Sequence, residues 1–138
     1  MKNFLIVLVA VVGLGMSANT QTPPKTGESE KCKTERENLQ SKTDLNVTSG
    51  YRNDNSSHND QKNGNCGVDF STKGKTEAQS KSEAQKLSND GKFCQYEKVE
   101  GNTQTNYKYQ NGSSVGTSSG AKKEGVTGSH IHCQDPKK

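Results

Sequence analysis

The stretch CGVDFSTKGKTEAQSKSEAQKLSNDGKFCQYEKVEGNTQTNYKYQ, residues 66–110, decides how this chain folds. At its start Cys66, Val68 and Phe70 alternate with Gly67 and Asp69, the period of a strand with one apolar face. Thr76 followed three residues later by Gln79 matches a capping box, and the run EAQSKSEAQKL that it opens is rich in helix formers. Ala78, Ala84 and Leu87 give this helix only a thin apolar stripe, so it must pack on a sheet through small contacts. Gly91 is placed to end it in left-handed backbone. A second strand is expected over 92–99, with Cys94 and Tyr96 facing one way and Phe93, Gln95, Glu97 and Val99 the other. The triplet Glu100-Gly101-Asn102 turns the chain into 104–110, where Thr105, Tyr107 and Tyr109 share a face, and Asn111-Gly112 is a strong hairpin signal after it.

Toward the N-terminus, residues 29–40 suit a short helix with Cys32, Arg36 and Leu39 on one side at i, i+4 and i+7. Residues 44–51 alternate Leu45, Val47, Ser49 and Tyr51 as a strand would. Between them and Cys66 lies RNDNSSHNDQKNGN, residues 52–65, a polar loop with nothing to pack. Toward the C-terminus, 113–125 is Gly/Ser-rich and reads as a long loop or a weak edge strand. Residues 126–133 read as a closing strand, with Ile131 and Cys133 facing inward and His130 and His132 outward. The expected fold class is α+β: a small disulfide-stapled domain, β-α-β plus a β-meander, with long polar loops and a flexible N-terminal tail.

Residues 1–18 set the compartment. Lys2, an apolar run over 4–15, and the small residues Ser17 and Ala18 have the layout of a secretory signal peptide. The run is shorter than the roughly 20 residues a bilayer span needs. The expected organisation is a signal peptide over 1–18, a flexible tail over 19–30, one small secreted domain over 31–134 and a tail over 135–138. No membrane span is expected in the mature chain.

After residue 18 the large aliphatic and Phe side chains number eleven, and there is no Trp. So small a set of apolar groups cannot order the whole mature chain, since each ordered residue costs roughly 1.5 kcal/mol. Cys32, Cys66, Cys94 and Cys133 address that shortfall. An even count in an exported chain argues for two disulfides, and no pair has the close spacing of a metal knuckle. Three pairings are open at this stage. The net charge of +4 is spread among acids, without a basic stripe, which argues against specific nucleic-acid binding.

Few residues carry recognisable chemistry. Asn46, Asn55 and Asn111 each begin an Asn-X-Ser/Thr acceptor triplet, and Asn55 in the polar loop is the best placed for glycosylation. His130 and His132 leave a strand from one face and are the pair with metal-like geometry. Further ligands would have to come from His58, Glu97 or Asp135, and nothing in the spacing brings these together, so two solvated histidines and no metal or other cofactor are expected. A ribonuclease-like site would need a base, an acid and a cation, drafted from His130 or His132, Glu97 or Glu100, and Arg36 or Arg52. No local motif supports it. Tyr107, Tyr109 and Lys108 are candidate binding residues, as an aromatic platform with a cation beside it, although Tyr96 and one of the other two tyrosines are needed for the core.

The leading expectation is a small secreted, disulfide-bonded, non-enzymatic binding protein of the salivary, venom or effector kind. It is expected to be a monomer that engages an extracellular protein or polysaccharide through loops 52–65 and 111–125. A largely disordered glycosylated coating or matrix protein is the alternative, and a small ribonuclease-like enzyme the third.

Overall fold

A computed structural model describes residues 28–49 and 66–136. The expected signal peptide, most of the expected N-terminal tail and the stretch 52–65 lie outside the described residues, and with them Asn55, His58, Tyr51 and Arg52. The elements in chain order are α1 (Glu30–Gln40), β1 (Val47–Ser49), β2 (Val68–Ser71), α2 (Glu77–Leu87), β3 (Phe93–Glu100), β4 (Thr103–Gln110), β5 (Ser113–Ala121) and β6 (His130–Gln134). The fold is α+β, two helices against one antiparallel sheet of strand order β1-β2-β6-β3-β4-β5.

Both helices begin at a capping side chain, of which the sequence pattern points to the second. The Ser29 side chain accepts from the Cys32 N–H, and Thr76 and Gln79 form the full reciprocal capping box. Cys32, Arg36 and Leu39 are buried along α1. On α2 the buried stripe is Ser80, Ala84 and Leu87, and Ala78 is exposed instead. Ser80 tolerates burial because its hydroxyl donates to the Thr76 carbonyl one turn back, at 2.9 Å.

The chain β2-α2-β3 is a crossover, with β2 and β3 parallel to each other and β6 inserted antiparallel between them. The meander β3-β4-β5 follows as expected, but the strand that closes the sheet returns to its middle instead of extending its edge. The Gly/Ser-rich stretch is a nine-residue edge strand, exposed along its whole length. Asn111 and Gly112 take the left-handed backbone (φ 50° and 72°) that a two-residue hairpin loop requires. A Cβ at Gly112 would run into Asn89 Oδ1, because the turn is docked on the end of α2: the Gly112 N–H donates to Ser88 Oγ, and its carbonyl accepts from Gln85. Residues 126–129 are not strand; β6 starts at His130.

The core lies between the helices and one sheet face. Leu39, Val68, Phe70, Leu87, Ile131 and the Cys94–Cys133 disulfide form its centre, with Tyr96 and Tyr109 at its side. Tyr107 packs partly buried against it, its ring stacked on Tyr96 at 6.0 Å and covered by the Lys81 ammonium at 3.7 Å. The other disulfide, Cys32–Cys66, ties α1 to the residue just ahead of β2. Buried Arg36 makes a two-pronged ion pair with Glu28, both bonds at 3.1 Å. At the far end Lys92 bridges Glu35 of α1 and Asp135, so Asp135 is tied into the fold beyond β6.

A polar cleft on the open face of the sheet

Strand alternation sends every second side chain to the face away from the helices. Strand register then lines these residues up in cross-strand rows. One row runs Asp69, His132, Gln95, Lys108, and the next Ser71, His130, Glu97, Asn106. A third, beyond His132, holds Gln134, Phe93 and Gln110. These rows floor a cleft of about 1060 Å³ whose wall is the segment 123–129. That segment carries the chain from edge strand β5 back over β4 and β3 to β6. Its two ends are fastened: Lys122 N–H donates to the Asn102 carbonyl, Lys123 N–H to Gln104 Oε1, and Val99 N–H to Ser129 Oγ.

A hydrogen-bond network runs through the middle of the cleft floor. Asp69 Oδ1 lies 2.8 Å from His132 Nδ1, and Gln134 Oε1 lies 3.0 Å from His132 Nε2. Both ring nitrogens face oxygen acceptors, so the ring is placed to donate from each as an imidazolium. Burial works against that charge, but the hydrogen bond and negative charge of Asp69, with Gln134 and Glu97, outweigh it and raise the His132 pKa above 6.5. Glu97 is oriented by carboxamides: Gln95 donates to one oxygen and Gln104 to the other, at 2.7 Å for the second. His130 Nδ1 donates to the Gly128 carbonyl at 3.0 Å. A carbonyl can only accept, so this bond fixes the tautomer and leaves Nε2 toward Glu97 Oε2 at 3.6 Å and Asp69 Oδ1 at 4.0 Å. Compared with family models, with curated proteins and with solved structures, the chain matches none.

The candidate residues read from the sequence distribute unevenly over this frame. His130 and His132 do share the open face, but the expectation that both are solvated is corrected: His132 is buried, with both ring nitrogens committed to hydrogen bonds. Glu97 stands beside His130 as no spacing rule foretold, while Asp135 is engaged by Lys92 and Lys31. Among the described residues no group of three His, Cys, Asp or Glu side chains is arranged to hold a metal ion. Of the described residues drafted for phosphodiester chemistry, Glu100 pairs with Lys98 and Arg36 with Glu28, while His130 comes to 3.6 Å from Glu97 and His132 lies in the adjoining row. Tyr107 and Tyr109 face the helices and Lys108 the cleft, because adjacent residues of a strand point to opposite faces. The three do not share a surface. Asn46 is exposed just before β1, and Asn111 is exposed at the hairpin tip. Asp69, the partner that organises the cleft, was read from the sequence only as a polar alternation partner of Val68 and Phe70.

Proposed function

We propose that this is a secreted, disulfide-stapled binding protein without catalytic activity, and that its ligand occupies the cleft on the open face of the sheet. One observation carries the reading. Asp69, Glu97, His132 and Gln134 are each less than a tenth exposed, yet they line an open cleft and not the apolar core. Burying such groups costs free energy unless they are hydrogen-bonded, and here a network holds them in fixed orientations. Side chains held that way lose little further freedom when a ligand arrives, which is the physical meaning of a preorganised site. The two disulfides suit an oxidising compartment, and no helix of the described residues is long and apolar enough to cross a membrane. The disulfides support an extracellular setting, with a protein or polysaccharide as partner. The coating alternative calls for an unpacked chain, and the two-layer packing of the described residues favours the binding reading.

The test is a ¹H–¹⁵N spectrum of oxidised protein, residues 19–138, titrated with a library of small polar compounds. Binding at the site moves the side-chain amide signals of Gln95 and Gln134 and the backbone signals of 128–134. A library that moves none of them at millimolar concentration sinks the proposal.

The His130–Glu97 approach supports a second reading, acid–base catalysis, since the two groups lie 3.6 Å apart and line the same open cleft. Turnover on RNA that vanishes in His130→Gln would establish it; background rates for both proteins remove it.

A further inference from the structure

The cleft has an aromatic end. Phe70, Tyr96, Tyr107 and Tyr109 all belong to the helix-side core or pack against it, whereas Phe93 is half-buried and lines the cleft. Register places a carboxamide on each side of it: Gln134 of β6 and Gln110 of β4 are its direct cross-strand neighbours. In the adjoining row Gln95 and Lys108 continue the same face. A half-open aromatic ring flanked in register by two carboxamides is a specific arrangement, and its chemistry can be matched to a ligand.

Each carboxamide offers a carbonyl acceptor and two N–H donors in one plane. A hydroxyl both donates and accepts, so neighbouring hydroxyls on a ring satisfy an amide at both of its ends. The face of an aromatic ring is electron-rich and attracts the weakly positive C–H groups of a flat aliphatic ring. A pyranose presents both surfaces at once, C–H groups on its faces and hydroxyls around its rim. The nearby charges favour a ligand that is not a simple ion: carboxylates Asp69 and Glu97 oppose an isolated anion, and the Lys108 ammonium opposes an isolated cation. Gln134 is also preset. Its Oε1 accepts from His132 Nε2, which leaves its NH₂ as the group available to donate.

We propose that the Phe93 end of the cleft is a saccharide subsite, where a pyranose ring of an oligosaccharide lies on the Phe93 ring between Gln110 and Gln134. This rests on the cleft being the binding site. It goes further by naming the class of ligand and the residues that select it. The cleft volume, about 1060 Å³, is at the upper end for a small-molecule site and has room beyond the Phe93 row for further sugar units.

The experiment titrates oxidised protein, residues 19–138, with maltotetraose, cellotetraose, chitotetraose and a hyaluronan tetrasaccharide, and in parallel with adenosine monophosphate, glutamate and spermidine as polar compounds that are not sugars. The expected result is that at least one tetrasaccharide shifts the Gln110 and Gln134 side-chain amides. Phe93→Ala should weaken that binding about tenfold, and Phe93→Tyr, which keeps the ring, should bind as the parent does. Gln110→Ala, on the same row and at a half-buried position, reads the same subsite should Phe93→Ala disturb the sheet. Cleft shifts with the non-sugars alone would overturn the saccharide assignment and leave the cleft as a binding site. No cleft shift with any of the seven compounds overturns both. Sugar binding that neither Phe93→Ala nor Gln110→Ala alters would place the ligand elsewhere and overturn the subsite.

Discussion

His132 joins the two sides of the cleft floor, and its protonation links ligand site to stability. Its pKa is raised in the folded protein, so its contribution to stability is fully present below about pH 6.5 and is lost as pH rises through the folded value. Thermal unfolding should therefore give a lower midpoint at pH 9 than at pH 6. In Asp69→Asn the bond that favours the charged ring is weakened while burial still opposes it, so the fall with pH should flatten or invert. At pH 6 the substitution should cost about 3 kcal/mol or more, the penalty for stranding one member of a buried pair. An unchanged pH profile in Asp69→Asn would mean that His132 does not carry the dependence. Alternation alone showed that His130 and His132 lie opposite Ile131 and Cys133. The identity of their partners was hidden, because Asp69 is 63 residues from His132 and only the β2–β6 register joins them. Arg36 is similar: the i, i+4, i+7 pattern put it on the buried side of α1, but not the Glu28 carboxylate that makes its burial tolerable.

The helices were the most legible elements because their start signals are local. The Thr76–Gln79 box is written within four residues, and the structure contains it in full. Thr76→Ala should destabilise the protein by about 1 kcal/mol, with denaturant titration as the readout and an unchanged m-value expected. No loss would mean that packing under Ser80, Ala84 and Leu87 holds the helix start without the cap. Strand β5 was legible only as one of two choices. Ser, Gly and Thr carry no apolar alternation, so nothing within the strand announces it. The Asn111-Gly112 turn and pairing to β4 along its length specify it from outside. The segment 126–129 failed for the opposite reason. Val126 and its neighbours extend the apparent alternation of β6, but they form the cleft wall, half-exposed and fastened through Ser129.

Across the described residues, a small apolar inventory is concentrated on one side of the sheet, and one disulfide lies within it while the other ties α1 to the residue ahead of β2. Cys94 and Cys133 face each other directly on β3 and β6, and Cys32–Cys66 closes the chain around the N-terminal segment. Their sequence separations are 39 and 34 residues, so each cross-link removes unfolded-chain entropy worth about 4 kcal/mol. Replacing Cys94 and Cys133 by Ala should lower the unfolding free energy by that order and merge the native hydrogen-exchange hierarchy, with β3 and β6 amides losing most protection. Full retention of protection would show that Phe70, Ile131 and Leu87 suffice. Composition made the need for cross-links legible, but not their pairing. The insertion of β6 between β2 and β3 was equally out of reach, since a chain read in order suggests that its last strand joins an edge.

That insertion has a consequence for how the protein is made. Synthesis proceeds from the N-terminus, so every other strand is made before the one that belongs at the centre of the sheet. Until residues 130–134 arrive, β2 and β3 have an unfilled gap between them, and Cys94 has no native partner. The nascent chain is thus kept from completing its sheet until its last strand has been made. Residues 130–134 act as a keystone, and a chain cut short before His130 would keep β2 and β3 linked through α2 but not through the sheet.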